Sequence, residues 1–221
     1  MSIKKSINTT HSYLFSILTV ISTATLMISN IIATKQFQIG SIALPTAMLV
    51  FPVTYILSDV VSEVYGYKAS RFTAWMGFGA NLLMVITFQV AIILPYPEYF
   101  GLQDAFSSIL GNTPRLFAAS TLSYMVGDFV NDRVFRMMKV KQGEKGFTLR
   151  AIVSSMAGEA FDAGMFIPLA FYGVMPIRLM LIMIGSQWIV KILYEIAILP
   201  VTAWVAKKLK QVEYPNINAD R

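Results

Sequence analysis

The chain has 221 residues, of which 56% are hydrophobic and only 14% are charged, and its formal net charge is +6. A soluble domain has roughly 25% charged residues, so this chain has too few charges to cover a water-exposed surface. A disordered chain is excluded as well, because it would need low hydrophobicity. The composition therefore predicts an integral membrane protein, whose basic excess belongs in loops at the membrane rather than on a nucleic-acid-binding face.

The reactive side chains are also few. The chain has no cysteine and a single histidine, His11, in its polar N-terminal segment. Thiolate nucleophiles, disulfides and thiolate metal sites are thereby excluded, and one histidine argues against a histidine-based metal site or triad. The sequence also has no Walker loop, dinucleotide fingerprint or zinc-peptidase motif. We expect no enzyme active site, no resident metal and no cofactor.

Long apolar segments follow one another along the whole chain, separated by short polar connections. A transmembrane helix needs about 20 apolar residues, so this length accommodates six such helices and no nucleotide-binding domain. We predict one transmembrane transporter domain over residues 1–221, an all-α, polytopic bundle. The longest connection contains a predicted short interfacial helix over Gln103–Leu110. The predicted spans are about residues 12–34, 42–65, 71–94, 114–138, 149–174 and 179–206.

Lysine and arginine are distributed unequally between the two sides of this predicted bundle. With the N-terminus in the cytoplasm, 14 of the 18 basic residues lie on the cytoplasmic side, and Lys191 lies within a span. Cytoplasmic loops of membrane proteins carry the excess of basic residues. Both termini are therefore predicted to be cytoplasmic.

Seven acidic side chains lie within the predicted spans, where they are not expected. An ionisable group at membrane depth costs roughly 2.5–3.5 kcal/mol on insertion scales, so such groups are rare and usually functional. Most of these acids come in pairs three or four residues apart, which places the members of each pair on one helix face. Lys191, the basic residue within a span, can pair with the acid four residues later. The acids are Asp59, Glu63, Asp128, Asp132, Glu159, Asp162 and Glu195.

Each acid has a structural alternative to a role in binding. Glu63 and Asp132 lie a few residues from basic loops, and there they could simply pair with lysine or arginine. Asn81 and Gln187 are polar groups within spans that could either bind a ligand or join helices. Paired carboxylates can also hold Mg²⁺ or Mn²⁺, so a divalent-metal carrier or metal-dependent membrane enzyme is one alternative function. The aromatic residues interleaved with the acids favour a flat organic ligand instead.

Three segments of this sequence resemble one known family. Residues 51–68, FPVTYILSDVVSEVYGYK, are similar to the signature of the queuosine precursor transporter family, also called the vitamin uptake transporter family. Residues 155–162, SMAGEAFD, followed by Phe166 and Phe171, resemble its second motif. Residues 191–195, KILYE, with Pro200, resemble its last helix. The likeness covers most of residues 12–206, and it departs at Glu159, where the family often has glutamine, and over residues 124–132, where the family varies.

The resemblance implies import of 7-cyano- and 7-aminomethyl-7-deazaguanine across the bacterial cytoplasmic (inner) membrane, for queuosine synthesis in tRNA. A guanine-like ring presents N1–H and 2-amino donors side by side, which one carboxylate can accept together. An aminomethyl cation would seek a second carboxylate, and the ring would stack on Tyr55 or Phe166. Lys191 would balance the charge or contact the ring carbonyl oxygen. The predicted substrate-binding residues are Asp59, Glu63, Tyr55, Asn81, Glu159, Asp162, Phe166, Gln187, Lys191 and Glu195, with Asp128 and Asp132 as secondary candidates.

Several features of the predicted transporter stay open at this stage. The substrate could be another vitamin or purine-like base, and the chain could be the substrate-binding subunit of a larger importer. Coupling to protons and facilitated diffusion fit the sequence equally well. The expected partners are the small-molecule substrate and the lipid bilayer, with no nucleic acid. The small residues at 77, 79 and 80 could mediate close helix contacts, including a homodimer.

Overall fold

A computed structural model describes residues 13–40, 42–142 and 147–213 of the chain. Helices dominate this part of the chain, as predicted. The basic segment around Lys145, both chain ends and the first residue of the span predicted for 12–34 lie outside the described residues. The elements in chain order are α1 (Tyr13–Ile32), β1 (Gln36–Ile39), β2 (Ile42–Pro45), a 3₁₀ turn (Thr46–Leu49), α2 (Phe51–Tyr65), α3 (Tyr67–Ile93), α4 (Gln103–Leu110), α5 (Thr113–Gln142), α6 (Phe147–Phe171) and α7 (Ile177–Glu213).

Three of the described helices, α1, α3 and α7, are long and apolar enough to cross a membrane. Helices α5 and α6 are also long, with 30 and 25 residues, but they carry the acidic pairs within their apolar sequence. Helix α2 has only 15 residues, fewer than the roughly 20 that a spanning helix needs. These apolar helices are those of a membrane protein. That the chain crosses the membrane six times, with both termini in the cytoplasm, stays a prediction.

The span predicted for residues 42–65 is the one that differs most from the structure. Residues 36–45 form an antiparallel hairpin, in which Gln36 lies opposite Pro45 and Ile39 opposite Ile42. Gly40 in the turn has φ 61°, in the left-handed region that glycine adopts without steric cost. The helix predicted from about residue 42 begins only at Phe51. The prediction of a transmembrane helix was therefore wrong over residues 42–50, where the chain forms β2 and the 3₁₀ turn.

Two prolines give the physical reason for this difference. Pro45 has no backbone N–H and disfavours a helical conformation of the residue before it, so the chain stays extended there. Pro52 lies in the first turn of α2, where a missing N–H costs nothing, and it starts the helix rather than kinking it. Pro168 and Pro200, by contrast, lie inside α6 and α7 as predicted.

A hydrophobic cluster closes one end of the bundle, beneath the hairpin. It joins the end of α1, the 3₁₀ turn, the start of α5, the end of α6 and the start of α7. Ala43 of β2 packs against the same cluster. This end of the molecule is therefore filled with apolar side chains. The buried members are Ala33, Ala47, Leu116, Ala119, Phe166, Ile167, Ala170, Phe171, Met180 and Met183.

Helices α5 and α6 approach each other closely at a pair of glycines. A Cβ atom added to Gly158 would lie 2.8 Å from the carbonyl oxygen of Gly127, and one added to Gly127 would lie 3.0 Å from that of Gly158. Small residues allow helix backbones in membranes to come this close. Since Asp128 and Glu159 each follow one of these glycines directly, the glycine contact sets the spacing of the acids on the two helices.

Another glycine contact joins α3 to α1. A Cβ on Gly77 would lie 3.0 Å from Leu26 Cδ2, whereas one on Gly79 would meet nothing within 4 Å. Of the small residues predicted to mediate close helix contacts, Gly77 therefore contacts another helix of the same chain. A homodimer through this segment stays a prediction.

Candidate substrate-binding site

A cavity of about 290 Å³ lies between six helices, α1, α2, α3, α5, α6 and α7. Ligand pockets usually measure about 300–1,000 Å³, so this one suits a small ligand of one or two rings. Serine, threonine and asparagine side chains line the walls formed by α1, α3 and α5. Six residues predicted from the sequence also line it, namely Asp128, Glu159, Asp162, Phe166, Gln187 and Lys191.

Lys191 of α7 is the centre of the charged part of this cavity. Its side chain is 4% exposed, and its Nζ lies 2.8 Å from Glu159 Oε2. The same ammonium group forms an ion pair with Asp162. The three-residue spacing of the two acids on α6 brings both to one lysine, as the shared helix face predicts. Two carboxyl groups thus face one ammonium group, a buried arrangement that is stable only while the charges stay paired.

Glu195 lies one turn further along α7, outside the cavity lining. Ser155 Oγ, which lines the cavity, donates a hydrogen bond of 2.7 Å to Glu195 Oε1. Glu195 is also close enough to both Glu159 and Asp59 for the like charges to interact. Asp59 is exposed on α2. Lys191 therefore pairs with the two acids of α6 and not with Glu195 on its own helix. Glu195 instead accepts the hydrogen bond from Ser155.

A second charged group lines the cavity from α5. Asp128 of α5 forms an ion pair with Arg71 of α3, and the Arg71 guanidinium lies 5.7 Å from the centre of the Tyr67 ring. Beside Asp128, the rings of Phe78 and Tyr124 meet edge to face at 5.4 Å. In the sequence, Arg71 is the first residue of the span predicted for residues 71–94. Because α3 begins at Tyr67, Arg71 belongs to its first turns and reaches the cavity wall.

Four of the predicted residues lie elsewhere. Glu63 pairs with Lys210 of α7, and the Asp132 carboxylate lies 3.3 Å from Arg136 Nη2 on its own helix. These are ion pairs of the kind that the structural alternative predicted. Asn81 is fully buried without lining the cavity, and Asp59 does not line it either. The side chain of Tyr55, predicted to stack on the ligand, lies outside what the structure describes.

Two residues complete the wall near Lys191. Phe166 lines the cavity from α6 with its ring edge to face with Phe171, at 6.2 Å between centroids. Gln187 lies one turn before Lys191 on α7 and is 1% exposed. Its Oε1 has no hydrogen-bond partner among the residues that the structure describes. An aromatic ring, an amide oxygen without a partner among the described residues and a lysine with two acids thus line one space.

Apolar helices around a small cavity with buried, paired charges are the architecture of a membrane transporter. Residues 45–205 match the model of the family described as "Putative vitamin uptake transporter". The chain therefore belongs to this family of transporters, and the resemblance seen in the sequence is confirmed. Over 182 residues, 82% of this chain and 79% of the relative, it is 22% identical to the "Probable queuosine precursor transporter" of Bacillus subtilis (strain 168). No solved structure matches the chain.

Proposed function

We propose that the chain imports the queuosine precursors 7-cyano- and 7-aminomethyl-7-deazaguanine across the bacterial cytoplasmic membrane, for the modification of tRNA. The observation that carries the proposal is the ion-paired set of the buried Lys191 with the half-buried Glu159 and Asp162 in a cavity of about 290 Å³. The name of the Bacillus subtilis relative supports the same substrate class. The proposed role is that of a carrier rather than an enzyme.

The chemistry of the cavity suits a guanine-like ring. The N1–H and 2-amino donors would be accepted by the Asp162 carboxylate, and the ring carbonyl oxygen would accept a hydrogen bond from Lys191. Phe166 would pack on the ring face. Glu159 would take the cationic group of the aminomethyl substrate. In a desolvated site of this kind, an analogue that lacks a donor leaves an acid unpaired and binds less well.

The proposed architecture is a single domain of six spans with both termini in the cytoplasm. The contact of six helices with one cavity supports this arrangement. The acids that make α5 and α6 less apolar lie partly on the cavity side, at Asp128, Glu159 and Asp162, where lipid does not reach them. In this orientation the hairpin and the apolar cluster beneath it separate the cavity from the outside. The exposed Ser58 of α2, which also lines the cavity, lies towards the cytoplasm.

The substrate is tested in a bacterium that can neither synthesise queuosine precursors nor import them. This chain is expressed there, either deazaguanine is supplied at low concentration, and queuosine is measured in tRNA. We expect expression to restore queuosine. If the protein is present in the membrane and queuosine is not restored, the proposed substrate is wrong.

A second candidate substrate follows from the family description, which names vitamin uptake. Another vitamin or purine-like base would use the same acids and aromatic face. The test is competition, in which excess unlabelled vitamins or purines are added during deazaguanine uptake. A competitor that suppresses uptake more strongly than the unlabelled deazaguanine would replace it as the proposed substrate.

A further inference from the structure

Two buried amide side chains have polar atoms without partners among the described residues. Gln187 is 1% exposed and its Oε1 has none, and Asn81 is 0% exposed and neither Oδ1 nor Nδ2 has one. Buried polar groups are nearly always hydrogen-bonded, so each exception needs an explanation. Gln187 lines the cavity and Asn81 does not. A ligand in the cavity could therefore complete the hydrogen bonding of Gln187 alone.

The position of Gln187 defines which part of a ligand it would meet. It precedes Lys191 by four residues on α7, so the two side chains start on one face about 6 Å apart along the helix axis. That separation is close to the width of a bicyclic base. A ring whose N1–H and 2-amino donors lie at the acids beside Lys191 would direct its five-membered ring towards Gln187.

That end of a 7-deazaguanine free base carries a donor beside an acceptor. The N–H at position 9 is the donor, and the ring nitrogen at position 3 is the acceptor. A glutamine amide offers the complementary pair, an oxygen that accepts and an NH₂ that donates. In a nucleoside the sugar replaces the hydrogen at position 9, so the donor is lost and the amide oxygen stays unpaired.

On the basis of the proposed function, we propose that Gln187 is the residue that selects the free base over its nucleoside. Its Oε1 accepts the hydrogen bond from the N–H at position 9, and its Nε2 donates to the nitrogen at position 3. The donor at position 9 is then the partner of the buried Gln187 Oε1, which has none among the described residues. Asp162 and Lys191 recognise the other edge of the ring, so the two edges are recognised separately.

The test compares two ligands that differ at position 9. The full-length purified protein is titrated with 7-cyano-7-deazaguanine and with its 9-methyl derivative, and their dissociation constants are measured. We expect the wild type to prefer the free base roughly tenfold or more, the size of effect that one unpaired buried acceptor produces. Gln187→Leu should weaken binding of the free base by about the same factor. It should weaken binding of the 9-methyl ligand less, because that ligand loses only the hydrogen bond at position 3, so the preference disappears.

Asn81→Leu is the matched control, because it removes a buried amide with unpaired atoms that lies outside the cavity lining. It should leave both dissociation constants and their ratio unchanged. If Gln187→Leu loses affinity for both ligands alike, the role of Gln187 is structural and the inference is overturned. A wild type that binds both ligands equally well would overturn it too. A Gln187→Leu protein that keeps the wild-type ratio would overturn this inference alone. A wild type that binds neither ligand would overturn the proposed function with it.

Discussion

Lys191 Nζ lies 2.8 Å from Glu159 Oε2, which joins α7 to α6 inside the cavity. The same lysine pairs with Asp162, one turn further along α6. Because a lone buried charge is far more costly than a paired one, the three side chains form one unit whose members depend on each other. A substrate that hydrogen-bonds to one of the acids must therefore compete with Lys191 for that acid. Substrate recognition in this site thus depends on its charge balance.

Removal of the lysine should be the most damaging single change in the cavity. We expect Lys191→Met to abolish uptake and to destabilise the protein by about 3–5 kcal/mol, because two acids are left close together without a counter-charge. Thermal unfolding of the purified protein measures the second effect. The triple variant with Glu159→Gln and Asp162→Asn should regain most of the stability but not the uptake.

The matched control for this prediction is Lys210→Met. Lys210 pairs with Glu63 where both side chains are substantially exposed, at 42% and 63%. An exposed ion pair contributes less than about 1 kcal/mol, so stability should change little. A Lys191→Met protein as stable as this control would contradict the paired-charge account.

The glycine contact between α5 and α6 predicts that a single methyl group disturbs the site. Gly158→Ala would place its Cβ 2.8 Å from the Gly127 carbonyl oxygen, so the helices must move apart. We expect a loss of about 1–3 kcal/mol in stability and a marked loss of uptake. Gly164→Ala, on the same helix with nothing within 4 Å of its Cβ, should behave as wild type. Equal effects of the two substitutions would refute the role assigned to the contact.

The hydrogen bond from Ser155 to Glu195 predicts that these two residues act as a pair. A hydrogen bond to a charged group contributes about 1.5–3 kcal/mol, and Ser155→Ala removes it. If the serine acts through Glu195, Ser155→Ala and Glu195→Gln should not add in the double variant, whether stability or uptake rate is measured. Full additivity would show that the two side chains act independently.

The charged residues illustrate how far sequence reasoning reaches into the site. The spacing of Glu159 and Asp162 correctly predicted that both acids share one face of a helix. The partners of Lys191 could not be predicted, because Glu195 is the acid nearest to it in sequence and lies on the same helix. The rotation of α7 against α6 is set by tertiary packing. Local spacing carries no information about that packing.

The hairpin shows a different limit. Residues 42–50 are as apolar as a membrane span, and an apolar run of this length does not distinguish strand from helix by periodicity. The available signals were Gly40, a turn glycine before β2, and Pro45, a helix-breaking residue at the end of β2. Pro52 is a further signal, because proline is common in the first turn of a helix.

The central claim is that the substrate binds at the acids beside Lys191 and not at the other acids of the spans. It is tested most directly by deazaguanine uptake into cells that carry Asp162→Asn or Asp132→Asn at equal protein levels. Both substitutions remove one acid, but only Asp162 lines the cavity, while Asp132 pairs with Arg136 outside it. We predict that Asp162→Asn lowers uptake by at least roughly tenfold, as expected for loss of a charged hydrogen-bond acceptor, and that Asp132→Asn retains it. Normal uptake by Asp162→Asn would contradict the account.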